Sequence, residues 1–478
     1  MEDEEEVQED VKDNSADVRA RLRAIQTAQK KEDKWRDNSK ETLKTYRSES
    51  GKSPSDNGKK DSFNILWANV EIKRYSLFSS TPMPDIRRRY NDDDPVGKEV
   101  SKLLSRAISY TLDCQNFDTE MIYCVNDMLL PGRGNIRVKY MPHTGEADEN
   151  GEEPVEYEEA GASRVAWDKY IQGPGNRFAD VKWIAFEHEL SRKEAVKRFD
   201  EEIADVLSYG DEDKKDKKEK TDAETDIKKA IVYEVWDRNT KKVYWLGKNY
   251  ADDYLEAPMD DPLELMDFYP IPPPLYAIED PDSMIPIIEY FQYVMLAKEL
   301  ETLTRRKRKL VDMIRARGAY DSSLAELDTI FNEEDGMLVP LENATQWIDA
   351  GGINNAIWFA PIKEMVETYQ ALSYQSNELI SQIYQITGIS DIVRGDTNPN
   401  ETLGAQEMKA TFASARFEKQ KDAVEVYSRN VIRLLTEVIC DFKRETLSVM
   451  TGLNYPTQEE QQQAQMAMQQ MQQQMQQM

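Results

Sequence analysis

Three long helical patterns in the second half of the sequence constrain its fold more than any other feature. Apolar residues recur at helical spacing over 286–317, again over 361–387, and once more for some forty residues over 402–443. At 1.5 Å per residue, the first of these helices would be roughly 45 Å long. No ordinary small domain needs a helix of that length.

The segments that join these helices differ in character. Residues 318–360 hold short apolar groups among turns, which predicts a small strand-containing excursion between the first two helices. Residues 388–401 form a loop rich in Gly, Asp, Asn and Pro, in which Gly388 ends one helix and Gly395 lends mobility. In isolation, Asp391, Arg394 and Asp396 of this loop could form a catalytic or metal-binding site. No base, metal-ligand set or phosphate cradle elsewhere completes such a site, so the loop is interpreted as a hinge.

Residues 62–281 predict a region of class α+β. Two amphipathic helical patterns are followed at Gly132–Met141 by alternation typical of a strand. After an acidic insert come short strands, and a helix that begins at Ser191 with Glu194 three residues on. A hairpin is expected to turn at Arg238–Thr240. The fold class is therefore α+β, with long helices predominating.

Both ends of the chain are polar. Residues 1–61 are interpreted as an acidic and polar arm, helical at most around Ala16 to Lys34 and held only by contacts with partners. In residues 453–478, methionines alternate at spacings of three and four along a glutamine-rich tail. This pattern fits a heptad seam and equally fits low-complexity disorder. The seam residues are Met468, Met471, Met475 and Met478.

The composition argues against an enzyme and against a cofactor. The chain has a net charge of −28 and only two histidines, His143 and His188, which lie in unrelated segments. The two histidines are therefore too few for a zinc site or for a Ser-His-Asp or Cys-His catalytic site, and the sequence has no phosphate-binding loop. The acidic runs 2–10, 146–159 and 252–267 show no ligand spacing and are interpreted as solvated faces. We expect no catalytic residue, no bound metal and no cofactor.

The same charge bears on nucleic acid and on location. An acidic chain repels phosphates, which excludes tight backbone binding but leaves open a surface along which DNA slides. Three cysteines, Cys114, Cys124 and Cys440, and the opening MEDEEEVQED predict a reducing cytoplasm and no secretion. The most apolar stretch, Met284 to Ala297, carries Glu289 and falls short of the ~20 apolar residues that a membrane span needs. No membrane partner is expected.

One basic segment stands out in this acidic chain. The first long helix carries five consecutive cations, which point in every direction around its axis. They form either a solvated, salt-bridged face or a contact with another subunit or with DNA. The five residues are Arg305, Arg306, Lys307, Arg308 and Lys309.

The order of these elements resembles the portal protein, or head-to-tail connector, of tailed bacteriophages, especially of the short-tailed type. The resemblance covers roughly residues 63–455 and rests on the succession of DMLLPGRGNIRVKY, FADVKWIAFEHELSRKEAVKRF, VYEVWDRNTKKVYWL, the proline-rich lead into the helix with RRKRK, and YQITGISDIVRGDTNPNETLGAQEM. No piece is strongly specific by itself, whereas their order is.

The resemblance implies a division of the chain into the parts of a portal. Residues 1–61 would be the arm, 62–281 the wing, and 282–317 and 361–387 the two stem helices with the clip, 318–360, between them. Residues 388–401 would be the tunnel loop, 402–452 the long wing helix, and 453–478 the start of a helical crown or barrel. In the tunnel loop, the residues expected to touch DNA are Asp391, Arg394, Asp396, Asn398 and Asn400.

The resemblance also implies the function. Members of that family form a ring, usually of twelve copies, at one capsid vertex, and double-stranded DNA enters and leaves through it. The expected partners are further copies of the chain, the large terminase subunit, a tail adaptor or head-completion protein, and the major capsid and scaffolding proteins. The expected location is the virion, with the host cytoplasm during assembly. The alternatives are another head or tail structural protein, such as an adaptor or scaffold, and a Mg²⁺-dependent nucleic-acid enzyme.

Overall fold

The computed structural model describes residues 14–49, 63–87, 90, 94–145, 153–210, 228–314, 318–320, 357–359, 361–389 and 403–453. The chain divides into two compact units. The first comprises Met1–Leu43, Asn69–Glu289 and Asn400–Met478, and the second comprises Lys44–Ala68 and Tyr290–Pro399.

Helices and antiparallel strands both occur in the described residues. The helices are α1 (Ser15–Tyr46), α2 (Ile65–Leu77), α3 (Pro95–Cys114), α4 (Phe117–Leu129), α5 (Arg192–Phe199), α6 (Glu201–Val206), α7 (Val294–Met313), α8 (Ile362–Thr387), α9 (Leu403–Cys440) and α10 (Arg444–Thr451). The strands are β1 (Arg133–Thr144), β2 (Val155–Val165), β3 (Tyr170–Gln172), β4 (Trp183–Leu190), β5 (Ala230–Asp237), β6 (Lys242–Gly247), β7 (Glu256–Asp260), β8 (Leu275–Tyr276), β9 (Gly318–Tyr320) and β10 (Ile357–Phe359).

A five-stranded antiparallel sheet, in the order β3-β4-β5-β6-β7, forms the centre of the first unit. Alternate residues of its strands point to opposite faces, so each face has its own apolar layer. On one face Phe186 and Trp236 pack against Phe268, Tyr269 and Ile271. On the other face Tyr233, Val235 and Leu246 pack beneath α1. Both faces of the sheet are therefore covered within the chain.

Helix α1 corrects the expectation of an arm that only partners hold in place. It continues to Tyr46, well beyond the predicted Lys34. Val18, Leu22 and Ile25 lie on one face of α1 and are almost fully buried against the sheet. Charged residues predominate in the sequence of α1, so its narrow apolar stripe did not predict a buried face.

A second, three-stranded sheet has the order β2-β1-β8. The predicted strand over 132–141 is confirmed as β1, and Ile136 and Val138 are fully buried, while Tyr140 on the same side is 36% exposed. Strand β2 begins inside the acidic insert and pairs antiparallel with β1 along its length. The interpretation of 146–159 as a solvated face is therefore wrong at Glu158, which is 5% exposed.

Local signals that the sequence showed are present as predicted. Ser191 caps α5, its hydroxyl accepts a hydrogen bond from the Glu194 amide, and the Glu194 carboxylate accepts one from the Ser191 amide. Strands β5 and β6 form the predicted hairpin, in which Asp237 pairs with Lys242. The Asp237 carboxylate accepts a hydrogen bond from the Asn239 amide and so fixes the start of the turn.

The first long helix starts later than its sequence pattern predicted. A 3-10 turn spans Glu289–Gln292, and α7 begins only at Val294. Met284 and Ile288 are buried in the first unit before the helix starts, and the Ile287 carbonyl lies against Gly132. Pro286 also disfavours helix in the residue before it. Burial of these apolar residues in non-helical backbone therefore replaces the first two turns of the predicted helix.

The second unit is built on α7 and α8. Helix α8 agrees with the predicted helix over 361–387 and ends at Gly388, which has a left-handed φ of 73°. Strands β9 and β10, just after α7 and just before α8, pair antiparallel from Gly318↔Phe359 to Tyr320↔Ile357. The excursion over 318–360 thus begins and ends in one short ladder. Its interior, 321–356, lies outside the described residues.

Candidate functional site

The antiparallel pair of α7 and α8 carries the predicted basic segment. Its two helices contact each other, and Leu300 and Leu303 of α7 and Leu379 and Ile383 of α8 are buried. The Gln375 amide of α8 donates a hydrogen bond to the Glu299 carboxylate of α7 at 3.3 Å, which fixes their antiparallel register.

Burial is confined to one half of each helix. On α7 the buried residues lie at Ala297, Leu300 and Leu303, and on α8 they lie between Ser376 and Thr387. The remaining halves, 304–313 and 362–375, bury no residue against the rest of the described chain. Exposed apolar side chains there include Val311 and Met313, both 52% exposed. Within the described residues, these halves of α7 and α8 therefore present an uncovered surface.

The basic segment lies in this uncovered half. Arg305, Arg306, Arg308 and Lys309 are exposed, whereas Lys307 is half-buried because it follows Leu300 and Leu303 on the side toward α8. Within the described part of the chain, Arg305, Arg306, Lys307 and Lys309 form no ion pair. Both interpretations of this segment, a solvated, salt-bridged face and a contact with another subunit or with DNA, therefore stay predictions.

The outward sides of the two helices carry opposite charges. Lys298, Arg305 and Lys309 lie on α7 away from α8, and all three are exposed. The corresponding side of α8 carries Glu367, Tyr374 and Glu378, and Tyr374 is 75% exposed. The sequence could have shown both sets, because in each the residues follow helical spacing. Arg305 and Lys309 belong to the predicted basic segment, whereas Lys298 and the three residues on α8 were not predicted.

The other predicted site residues lie outside the described residues. This applies to Asp391, Arg394, Asp396, Asn398 and Asn400 of the predicted tunnel loop, and to Met468, Met471, Met475 and Met478 of the predicted seam. The structure describes only the flanks of the loop, where α8 ends at Gly388 and α9 begins at Leu403.

The first unit contains buried ion pairs that hold its elements together. The Arg133 guanidinium, fully buried, donates to Glu32 of α1 at 2.7 Å and to the carbonyl oxygens of Trp167 and Tyr170. It also lies over the ring of Trp35, 4.5 Å from the centroid. This cluster joins α1 to the start of β1, and no spacing in the sequence indicates it.

A second buried pair lies in the five-stranded sheet. Glu234 of β5 accepts hydrogen bonds from Arg137 and from the indole of Trp236 at 2.8 Å, and His188 Nε2 lies 3.0 Å from its carboxylate. Burial opposes the charge of Glu234, but Arg137 and His188 outweigh it and hold its pKa at about 2. His188 is thus part of a structural cluster.

Carboxylates in the described residues do not converge as a metal site would require. Groups of three or more His, Cys, Asp or Glu side chains able to hold a metal ion are absent from the part of the chain that the structure describes. Burial raises the pKa of Asp127 to about 6 despite its pair with Arg164, whose Nε donates to it at 2.6 Å. That carboxylate is fully engaged by the guanidinium and links α4 to β2.

A comparison with known protein families tests the resemblance that the sequence predicted. Residues 84–266 match the family model of the phage P22-like portal protein. The chain carries a P22-like portal domain. The resemblance to phage portal proteins is confirmed over this segment, which contains α3 to α6 and strands β1 to β7.

The portal match has limits along the chain. It covers less than half of the sequence and ends before α7, and α1 and α2 precede it. No curated protein matches the chain. Among the described residues, no helix is both long and apolar enough to cross a membrane. The match therefore shows what residues 84–266 are similar to, and the function of the whole chain is a matter for proposal.

Proposed function

We propose that the chain is the subunit of a portal ring at one capsid vertex, through which double-stranded DNA is packaged and ejected. The observation that carries this proposal is the α7–α8 pair, whose far halves bury no residue within the described chain. Neighbouring copies in a ring would cover such helices. The portal domain of residues 84–266 supports the same assembly.

The parts of the portal follow the order of the elements. The region 62–281 with its two sheets is the wing, α7 and α8 are the stem, and 318–360 between them is the clip. The tunnel loop is 388–401, α9 and α10 continue the wing, and 453–478 begin a crown. In this arrangement the β9–β10 ladder lies at the base of the clip, where the two stem helices end.

The partners follow from the position of each part. The clip offers the docking surface for the large terminase subunit during packaging and for the tail adaptor afterwards. The wing contacts the major capsid and scaffolding proteins. The protein acts as a structural conduit in the virion and during assembly in the host cytoplasm, and it performs no catalysis of its own.

The charge of the chain suits a conduit. With a net charge of −28 per chain, a ring of many copies has a strongly negative average field. Such a field repels phosphates, so the wall of the channel does not hold the DNA in place. Transient contacts are then confined to local groups such as Arg394 in the tunnel loop.

A deletion in the tunnel loop tests the conduit. Removing residues 391–398 should leave ring assembly intact, since α8 and α9 flank the loop and remain whole. DNA packaging or its retention should change, and nuclease-protected DNA per capsid measures both. Arg394→Ala is the control that keeps the loop length and removes only the cation. Packaging and retention equal to the natural chain in the deletion variant would refute the assignment of the loop.

A further inference from the structure

The α7–α8 pair presents two exposed stripes of opposite charge on its two outer sides. We call Lys298, Arg305 and Lys309 the basic stripe and Glu367, Tyr374 and Glu378 the acidic stripe. Each stripe lies on the side of its helix opposite the buried residues of that helix. Neither stripe can therefore meet the other within one copy.

The two stripes have matching lengths. In both, the first and last residues lie eleven positions apart, which is close to three turns at 3.6 residues per turn. Their ends carry opposite charge, lysines on α7 and glutamates on α8. Such matching is expected for two surfaces that contact each other side by side.

The register within the chain places the charged ends at equal heights. The hydrogen bond from Gln375 to Glu299 marks one level of the antiparallel pair. Measured from that level, Lys309 and Glu367 differ in height by about two residues, or ~3 Å. Lys298 and Glu378 differ by the same amount in the same direction. Long side chains span such an offset.

In a ring, the relative heights of these residues are the same between neighbouring copies as within one copy. If the ring axis runs along the helix pair, rotation moves every residue sideways and keeps its height. The side of α8 that carries the acidic stripe then faces the side of α7 that carries the basic stripe in the adjacent copy. We propose that these two stripes form the contact between neighbouring subunits, with Lys309 beside Glu367 and Lys298 beside Glu378 of the next copy. The proposal rests on the ring proposed above.

The remaining side chains on these faces agree with the contact. In this register Arg305 lies about two residues, or ~3 Å, in height from Glu367 and about five residues, or ~7.5 Å, from Tyr374, so its long side chain can pair with the carboxylate or stack on the exposed ring. Asp312 of α7 and Lys363 of α8 also lie near one height and carry opposite charges. The contact is of the head-to-tail kind, because each copy offers one stripe on either side, and such contacts form a ring when the rotation between neighbouring copies closes.

The same observation favours a protein partner over DNA for the basic stripe. DNA would engage the cations but would leave the acidic stripe, on the other outer side of the pair, without a role. A second copy uses both stripes at once. Contact with DNA is therefore the alternative that the experiment has to separate.

Charge reversal on each stripe and on both together tests the contact. The variants of the full chain are Lys298→Glu with Lys309→Glu, Glu367→Lys with Glu378→Lys, and all four changes combined, which exchanges the charges of both proposed pairs. Lys298→Arg with Lys309→Arg is the matched control that keeps the charge. Mass photometry gives the protein concentration at which half of the chains are in rings. Each reversal alone should raise that concentration by about tenfold or more, and the combination should return it to within about threefold of the natural chain.

The outcomes distinguish a failure of the stripe contact from a failure of the proposed ring on which it rests. If the natural chain forms no ring at any concentration, the ring itself fails. If it forms rings and the reversal on α7 assembles equally well, the stripe contact fails. The contact also fails if the combined variant assembles no better than the two separate reversals while its circular dichroism is unchanged. Normal rings that have lost DNA retention would assign the basic stripe to DNA.

Discussion

Buried charged residues connect the two sheets of the first unit. Glu234, at the centre of the five-stranded sheet, is 3% exposed and serves Arg137, His188 and Trp236 at once. Arg137 comes from the three-stranded sheet, so this carboxylate joins the two sheets. Removing one member of such a pair leaves the other charge buried without a partner, which costs more than the pair itself contributes.

We predict that Glu234→Gln destabilises the chain by about 3 kcal/mol near neutral pH. Because the folded pKa of Glu234 is about 2, against an ordinary value of 4.5, its contribution is complete above pH 4.5 and is lost as the pH falls toward 2. The difference between the natural chain and the variant should therefore shrink over that window. Urea unfolding at several pH values, followed by tryptophan fluorescence, measures it.

Glu189→Gln is the matched control for this prediction. Glu189 lies on the neighbouring strand β4 and pairs with Lys169, but its side chain is 43% exposed against 4% for Glu234. An exposed pair contributes little, so the control should change stability by less than about 1 kcal/mol. Equal effects of the two substitutions, or an effect of Glu234→Gln that does not depend on pH, would contradict the role of the buried pair.

At the scale of single residues, the sequence predicts hydrogen-bond partners that are close together in the chain but not partners that are far apart in it. The Ser191–Glu194 capping box was predictable because both residues lie within one turn of α5. Glu158 was not, because two of its three hydrogen-bond donors come from the far end of the chain. It accepts hydrogen bonds from the Lys443 amide at 2.6 Å and from the Thr446 hydroxyl at 3.2 Å. One Glu within an acidic run looks like the others until the fold brings these donors to it.

Helix α1 lies outside the segment that matches the portal family but packs against the sheet within it. It precedes the match at residue 84, yet its apolar stripe closes one face of the five-stranded sheet. Arg21 strengthens the attachment, since it donates to Asp237 at 3.2 Å and lies 4.2 Å from the centroid of the Tyr244 ring. The helix belongs to the core of the first unit.

We predict that Ile25→Ala destabilises the first unit by about 2 to 5 kcal/mol, the usual cost of a cavity in a packed core. Ile25 is 1% exposed against the sheet. Hydrogen exchange of the amides in β5 and β6 should accelerate, since α1 covers these strands. Arg23→Ala on the exposed side of α1 is the control and should change stability by less than about 0.5 kcal/mol. Unchanged exchange in Ile25→Ala would mean that α1 does not protect the sheet.

Element boundaries were predictable where a single residue ends a helix and were wrong where packing decides. Gly388 marks the end of α8 in the sequence and in the structure, because only Gly adopts its left-handed conformation without strain. The start of α7 was misplaced, since Met284 and Ile288 follow a helical spacing but are buried in extended and turn backbone. Periodicity does not distinguish these two ways of burying the same residues.

At the scale of the whole molecule, the order of the elements was more informative than any motif. No catalytic or phosphate-binding pattern was available, and each quoted segment alone is ordinary. Their succession led to the portal family, and the family match over 84–266 agrees with it. The proposed subunit contact could not be predicted from sequence, because the heights of the two stripes can be compared only once the register of α7 and α8 is known.

Images of the purified full chain by negative-stain electron microscopy test the central claim most directly. The account predicts rings with a central hole wide enough for a DNA duplex, formed without DNA or any other phage protein, because the uncovered halves of α7 and α8 are satisfied by neighbouring copies. Small compact particles of single chains at high protein concentration would contradict it.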